Sequence, residues 1–398
     1  MLALGLGATN SALLLAQSSP EAAAIDLRAK ALRSGLSLGD EAAQVLLIGI
    51  EGRGLPSSAA LELLSSTPVG GVVLFGFNVP ERSSDLGLFT SAVQAAAAKN
   101  GSGLPFIVAL DEEGGSVFRF HGSDITRLPP PLEAAGRGPA YVRLLGEAAG
   151  RELGALGVNL ALAPVVELLT DDDQAFLGNR SYGRNPADVD ADAGAFIDGL
   201  QSSGVAATAK HFPGNAAADP HKGLPLLRID GATYEGRYRA RFEAALRRGV
   251  GVVMLSHVLV PALDASKPAS LSRFFVEREL KENLGFQGVA LTDDLFMKAL
   301  TEREPAERSA VEALLAGDDL LMITSQEAAP RLRDAIVRAV EGGALSRARL
   351  DDAADRVIAL KLRFGMEAAL DPQVRARRLA DFPGIVAEDQ RAILEYGK

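Results

Sequence analysis

Most residues of this chain that could carry out acid–base chemistry come just after short apolar runs. The chain has four histidines, and His211 and His257 each stand at the end of such a run. Carboxylates occupy similar positions, namely Asp111, Glu112, Glu113, Glu167, Asp219, Asp293 and Asp294. Imidazoles and carboxylates are common proton donors and acceptors in enzymes. Their placement predicts a catalytic or binding site if the fold gathers the ends of the runs.

Eight apolar runs are the elements that would have to position these side chains. They cover residues 43–50, 70–77, 104–111, 157–166, 204–211, 249–257, 288–293 and 319–324. Near-continuous apolar runs are typical of strands buried on both faces, and amphipathic stretches separate them. Eight strand–helix units predict a (β/α)8 TIM barrel, whose active site lies at the C-terminal ends of its strands. His121 and His221, which fall in loops after two of the strands, would lie on that same face.

The strand–helix alternation indicates a single catalytic domain over residues 21–365, with a helical lead-in at its start. Residues 366–398 form a polar C-terminal extension that we expect to wrap around the barrel. Helices are predicted at residues 57–65, 84–99, 139–155, 187–202, 232–248, 273–283, 305–316, 326–341 and 347–363.

Composition narrows the classes of function. The chain is 47% hydrophobic and 23% charged, which is ordinary for a globular protein, and its net charge of −10 argues against nucleic acid as a partner. Because there is no cysteine, disulfides, thiolate nucleophiles and cysteine metal sites are excluded. The acids of residues 170–174 match no metal-ligand spacing, so neither a metal nor another cofactor is expected. Nothing in the sequence indicates an oligomeric state.

The N-terminal segment favours export. Residues 2–16 are uncharged and mostly apolar, like the central region of a signal peptide, although no basic segment precedes them. We therefore expect residues 1–20 to be a signal-like segment or a helical arm. A periplasmic or cell-envelope location is favoured, with a cytoplasmic location as the alternative. No other segment is apolar over a membrane-spanning length, so stable membrane insertion is not expected.

Three cations complete the predicted cluster at the strand ends. Charged groups buried there are costly unless they are paired or functional, and Arg119, Arg180 and Lys210 are the expected partners of the acids. One interpretation is a ring of salt bridges that closes the barrel. The other is a pocket that hydrogen-bonds a polyhydroxylated ligand such as a sugar.

Local motifs in this chain resemble those of a known family. Residues 210–225, KHFPGNAAADPHKGLP, resemble the K-H-F-P-G…D-S/T-H…L-P segment of family 3 glycoside hydrolases, most closely in the bacterial β-N-acetylglucosaminidase branch. Further similar blocks occur in the same order over roughly residues 43–365, at residues 68–78, 111–119, 157–168, 179–183, 254–257, 268–272, 291–295 and 316–321.

The resemblance implies roles for individual residues. Asp293 matches the catalytic nucleophile of a retaining mechanism, with Asp294 as its rival, and His221 matches an acid/base that is partnered by Asp219. The positions that bind sugar hydroxyls in the family correspond to Asp111, Arg119, Arg180, Lys210 and His211. The implied function is a retaining exo-β-N-acetylglucosaminidase that acts on peptidoglycan fragments or chitooligosaccharides.

Four departures from the family pattern lie around the acid/base. Gly214-Asn215-Ala216 stands where members usually have G-H-G, and the loop that follows is about two residues shorter. Pro220 stands inside the Asp–x–His pair, and Glu167 replaces the usual aspartate. Because proline fixes φ and lacks an N–H donor, it either presets this loop or misplaces His221.

Three other functions remain as alternatives. A β-glucosidase or β-xylosidase of the family usually carries a second domain with a glutamate acid/base. A non-catalytic sugar-binding protein is suggested by the altered residues 214–220 alone. A Schiff-base lysine at Lys210 is chemically possible at a strand end, but the adjacent family motif argues against it.

Overall fold

A barrel of eight parallel strands forms the centre of the chain in a computed structural model that describes residues 19–171, 174, 176–216 and 218–396. Neighbouring strands pair in chain order, and the eighth pairs with the first. A parallel bridge between Leu291 and Leu320 closes the remaining gap, so the predicted TIM barrel is confirmed. The strands are β1 (Leu46–Gly49), β2 (Gly71–Leu74), β3 (Ile107–Leu110), β4 (Leu160–Ala161), β5 (Ala206–Phe212), β6 (Val252–Leu255), β7 (Val289–Thr292) and β8 (Leu321–Ile323).

Helices surround the barrel close to the predicted positions. They are α1 (Pro20–Arg33), α2 (Leu38–Gln44), α3 (Ser58–Ser66), α4 (Leu86–Ala97), α5 (Pro131–Ala135), α6 (Pro139–Ala155), α7 (Pro186–Ser202), α8 (Gly231–Thr233), α9 (Ala240–Arg247), α10 (Lys298–Thr301), α11 (Ala306–Ala316), α12 (Ala329–Glu341), α13 (Arg347–Arg363) and α14 (Pro372–Glu395). Nearly all of the signal-like segment predicted for residues 1–20 lies outside the described residues. Within the described part of the chain, no helix is long and apolar enough to span a membrane.

Two of the predicted helices are wound as π-helices. Tyr234–Arg239 joins α8 to α9, and Phe274–Asn283 lies between β6 and β7. The two segments meet at Glu279, whose Oε2 accepts hydrogen bonds from Tyr234 Oη at 3.3 Å and Arg239 Nε at 3.1 Å. Apolar periodicity does not distinguish this wider winding from an α-helix, so the sequence predicted only the helical class.

The C-terminal extension is helical, which the sequence analysis did not predict. Its main element, α14, has 24 residues and includes Pro383. Phe382, Val386 and Asp389 are its buried residues, and Asp389 forms an ion pair with Arg151 of α6. So few inward-facing side chains leave a weak amphipathic pattern, which explains why the sequence indicated only a polar extension.

The barrel interior is a packed apolar core rather than a channel. Side chains alternate along each strand, so every second residue points inward. Interior residues of the strands pack below against Val357 and Leu360 of α13, which seals the N-terminal end of the barrel. Counting in steps of two from Ala109, Ala206 and Leu291 leads to Asp111, Lys210 and Asp293. These charged residues lie directly on top of the apolar core, at the C-terminal ends of β3, β5 and β7.

A buried lysine beneath the barrel gives a test of this packing. Lys361 of α13 is 1% exposed, its Nζ donates to Gln44 Oε1 at 2.8 Å, and burial lowers its pKa to about 7. Between pH 7 and about 10.5 the unfolded chain binds a proton at this lysine that the folded chain does not. The free energy of unfolding should therefore rise with pH across this window.

The Lys361→Met variant should lose that part of the pH dependence. Near pH 7 the variant should be more stable than wild type by a few kcal/mol, because each pKa unit corresponds to about 1.4 kcal/mol. This difference in unfolding free energy should shrink towards pH 10, where the lysine is neutral in the folded wild type and begins to deprotonate in the unfolded chain as well. Denaturant unfolding at pH 7 and pH 9.5 measures this, with the exposed Lys30→Met as control. Parallel pH dependence of Lys361→Met and wild type would contradict the prediction.

Candidate active site

Two carboxylates and three cations form an interlocked cluster at the ends of β3 and β5. The carboxylate of Asp111 lies between Arg119, with Nη2 at 2.9 Å, and Lys210, with Nζ at 2.9 Å. Lys210 Nζ also lies 2.7 Å from Glu113 Oε1. Arg180 donates two hydrogen bonds to Glu113, each at 2.8 Å. We call these five residues the acid–cation cluster.

The cluster keeps its members charged although they are removed from water. Burial opposes ionisation of Asp111 and Glu113, but the neighbouring cations hold the pKa of both carboxyls below their usual values. Burial likewise opposes a charged Lys210, and the two acids outweigh it and raise the pKa of its ammonium group. Fixed, charged donors and acceptors of this kind form strong hydrogen bonds with sugar hydroxyls.

Glu112, which the sequence grouped with the charged acids, behaves differently. Its side chain is 2% exposed, and burial raises its pKa well above the usual value, which favours the neutral form. One oxygen accepts a long hydrogen bond from Arg119 N at 3.4 Å, and none of the cluster's cations reaches it. Alternation along the chain explains the difference, because Glu112 points away from the interior position that Asp111 occupies.

Glu167 organises the start of the loop that follows β5. Its Oε1 lies 2.8 Å from His211 Nδ1, and its Oε2 accepts a hydrogen bond from Asn215 N at 2.6 Å. The pairing of β5 with β6 shifts register between Lys210 and Phe212, so that His211 also lies beside the site. Two departures from the family pattern, Glu167 and Asn215, thus contact each other directly.

Gly214 fixes the turn at the base of the same loop. Its φ is +137°, a conformation that side chains other than glycine rarely adopt, and a Cβ there would collide with the ring of Tyr238. Beyond this turn, Asn215 Oδ1 accepts a hydrogen bond from Ser256 Oγ at 2.9 Å. The base of the loop is therefore tied to both β4 and β6.

The two aspartates after β7 have different surroundings. Asp294 Oδ1 accepts backbone hydrogen bonds from Phe296 N and Thr324 N, each at 3.1 Å, and burial raises its pKa to about 6. Asp293 Oδ1 accepts one backbone hydrogen bond, from Asp294 N at 2.8 Å. Among the described residues, none donates to the other oxygen of Asp293. Asp294 Oδ1 is thus held by two backbone groups from different segments, while the Asp293 carboxylate accepts a single hydrogen bond, from its own neighbour.

His257 is enclosed beside these aspartates and is 0% exposed. Its Nε2 lies 2.9 Å from the carbonyl oxygen of Asp294, which can only accept, so Nε2 carries a hydrogen. Burial lowers the pKa of the ring, and the charges of Asp293 and His221 also act on it, in opposite directions. The neutral ring therefore uses Nδ1 to accept a hydrogen bond from Ser270 Oγ at 2.6 Å.

Asp219 and His221 form the pair that the Asp–x–His motif suggested. His221 Nδ1 lies 2.9 Å from Asp219 Oδ1, and its side chain is 68% exposed. Burial opposes ionisation of Asp219, but the hydrogen bonds from His221, together with the charges of His221 and Lys222, outweigh it and lower the pKa of Asp219. The carbonyl of Pro220 accepts a hydrogen bond from Ala299 N at 3.1 Å, so this loop contacts α10, the helix after Asp293.

The remaining sequence candidates do not join the site. His121 is exposed in the loop after β3. Over the described ranges of the chain, no group of three or more His, Asp or Glu side chains is arranged to hold a metal ion. Glu113 pairs with Arg180 and Lys210, two of the cations that the sequence offered as partners of the acids. The sequence missed the role of Asn215, because it depends on contacts between distant segments.

The contact between Glu167 and Asn215 predicts compensation between two substitutions towards the family pattern. Glu167→Asp and Asn215→His should each destabilise the chain by about 1–3 kcal/mol, because each leaves a buried polar group unsatisfied. The double variant should lose less than the sum, with a coupling of about 0.5–3 kcal/mol. Denaturant unfolding of wild type, both single variants and the double variant measures this coupling. As a control, the effects of Glu167→Asp and the distant Lys361→Met should add. If the effects of Glu167→Asp and Asn215→His also add, the predicted compensation is refuted.

Comparison with known proteins agrees with this geometry. Residues 37–360 match the glycosyl hydrolase family 3 N-terminal domain. A beta-hexosaminidase of Xylella fastidiosa (strain 9a5c) is 35% identical over 266 residues, which cover 64% of this chain and 76% of that protein. Beta-hexosaminidase A of Pseudoalteromonas piscicida is 31% identical over 258 residues, covering 60% of this chain and 43% of its relative.

A solved structure shows the same similarity in three dimensions. A glycoside hydrolase family 3 beta-N-acetylglucosaminidase from Paenibacillus sp. str. FPU-7 superimposes with a TM-score of 0.79 at 32% identity. The match covers 83% of this chain and 63% of that one, so this chain spans less than two thirds of the length of two of these relatives. With the family match extending over most of its length, the chain belongs to glycosyl hydrolase family 3.

Proposed function

We propose that this protein is a retaining exo-β-N-acetylglucosaminidase that releases terminal β-linked N-acetylglucosamine from peptidoglycan fragments or chitooligosaccharides. The observation that carries the proposal is the combination of Asp293, the docked Asp219–His221 pair and the acid–cation cluster on one barrel face. The printed names of the similar proteins, beta-hexosaminidase and beta-N-acetylglucosaminidase, support the choice of sugar.

In the first chemical step Asp293 is the nucleophile. Its carboxylate attacks the anomeric carbon while the bond to the leaving oxygen breaks, and a glycosyl ester of Asp293 forms. Protonated His221 donates its proton to the leaving oxygen. Because Nδ1 of His221 faces Asp219, its Nε2 is the nitrogen that serves the substrate.

In the second step water replaces the enzyme at the anomeric carbon. Neutral His221 accepts a proton from the attacking water, the ester bond to Asp293 breaks, and the sugar leaves with its original anomeric configuration. Asp219 stabilises the imidazolium form that alternates with the neutral ring. The exposure of His221 fits this role, because its ring must meet both a leaving group and water.

The acid–cation cluster and His211 bind the sugar that is transferred. Asp111 accepts hydrogen bonds from hydroxyls, and Arg119, Lys210 and His211 donate to them. Arg180 contributes differently from the others, because two of its nitrogens are engaged by Glu113. It mainly fixes Glu113, which in turn holds Lys210.

Replacement of the nucleophile is the first test. Wild type should hydrolyse an aryl β-N-acetylglucosaminide much faster than the matching aryl β-glucoside, and Asp293→Asn should lower kcat by at least about 10³-fold. The control Asp294→Asn removes a carboxylate that is committed to the backbone and should lower kcat much less. Near-normal turnover by Asp293→Asn would remove it as nucleophile. A folded wild type that turns over neither substrate would favour the sugar-binding alternative.

Replacement of the acid/base should depend on the leaving group. His221→Ala should slow hydrolysis of an N-acetylglucosamine disaccharide by about 10²–10⁴-fold, because the departing alkoxide needs a proton. An activated aryl glycoside, whose leaving group is stable as an anion, should be slowed far less in its first step. Burst and steady-state rates on both substrates measure the contrast. Equal slowing of both first steps would exclude His221 as the acid.

A further inference from the structure

Two consecutive residues after β6, Ser256 and His257, contact opposite halves of the proposed site. Ser256 Oγ donates to Asn215, which belongs to the group around Glu167 and His211 beside the acid–cation cluster. His257 donates to the backbone carbonyl of Asp294, next to Asp293. Neither residue matches a position to which the family resemblance gives a role.

The β6 segment holds the backbone of Asp293 from both sides. Asp293 N donates to the carbonyl of Leu255 at 2.9 Å, and His257 Nε2 donates to the carbonyl of Asp294 at 2.9 Å. Between these two bonds, Asp294 N donates to Asp293 Oδ1 at 2.8 Å. Three successive peptide groups are therefore fixed. The bond from Asp294 N also fixes the orientation of the Asp293 carboxylate.

His257 is itself locked in place. Ser270 Oγ bonds its Nδ1, and Ser270 N donates to the carbonyl of Ser256 at 3.2 Å. The ring is 0% exposed, so it has no alternative partner in water. Both ring nitrogens are engaged within the protein, which leaves His257 unavailable for proton transfer to a substrate.

We propose that His257 is a positioning residue for the nucleophile Asp293, and that its neighbour Ser256 is a positioning residue for the sugar-binding side. This inference rests on the proposed function. Because the two contacts lead to different groups, the two residues affect different kinetic parameters. Loss of the His257 contact impairs the chemical step, whereas loss of the Ser256 contact weakens the binding of the sugar.

The key variants are His257→Asn, His257→Gln and Ser256→Ala, assayed on an aryl β-N-acetylglucosaminide. His257→Asn should lower kcat by about 10–100-fold with KM within about twofold, because a carboxylate displaced by a fraction of an ångström attacks poorly. The longer Gln side chain brings an N–H back towards the Asp294 carbonyl, so His257→Gln should recover most of this loss. Ser256→Ala should raise KM about fivefold, the effect of losing about 1 kcal/mol, with kcat nearly unchanged.

The support of the His257 ring gives a second, milder test of positioning. Ser270→Ala, which removes only the support of Nδ1, should lower kcat in the same direction by a smaller factor.

The outcomes distinguish this inference from the function on which it rests. Wild-type turnover, together with the split between kcat and KM and the recovery of kcat in His257→Gln, supports it. If wild type is active but kcat and KM change alike in His257→Asn and Ser256→Ala, this inference is overturned and the proposed function stands. The same holds if His257→Gln does not recover the lost kcat. Absence of wild-type turnover overturns the proposed function and this inference with it. If His257→Asn does not fold, Ser270→Ala and His257→Gln decide on the same criteria.

Discussion

One ammonium group shared by two carboxylates is the interaction on which the top of this barrel depends. The interior below is apolar, so the charged residues that follow the strands cannot turn downwards. Lys210 bonds both Asp111 and Glu113, and the latter two hold Arg119 and Arg180. Because each charged group has a partner of opposite sign, a polar surface can rest directly on a dry core. Without the lysine, each carboxylate would keep only its arginine, and no cation would link the two acids.

The site is rigid on one side and open on the other. The acid–cation cluster and the aspartates after β7 are tied to strand ends by several short hydrogen bonds. The Asp219–His221 pair stands on a connecting loop, and the His221 ring is mostly exposed to water. This division suits a reaction in which the sugar must be held in one orientation, while the proton carrier meets leaving groups of various shapes and then water.

Sequence reasoning predicts the parts of this fold in which successive residues of an element share the same kind of environment. Strands of a parallel barrel are buried on both faces, so their apolar runs were visible, and their ends located Asp111, Lys210 and Asp293. Helix α14 buries few side chains and left almost no pattern. The pKa of Glu112 is raised and that of Glu113 is lowered because Lys210 reaches only Glu113, and this contact depends on the three-dimensional structure. The contact of Asn215 with Glu167, 48 residues away in sequence, could not be predicted either. From the sequence alone, these two departures from the family pattern looked unrelated.

The helix α13 beneath the barrel has a consequence for how the protein would work through a polymer. Val357 and Leu360 fill the lower end, so substrate and product share one entrance. For the proposed reaction, the released sugar would have to leave by the side from which the shortened chain enters. Every cycle would then end with complete release of the polymer, and degradation would be distributive rather than processive. The liberated monosaccharide competes for the same pocket, so its accumulation would itself slow the enzyme.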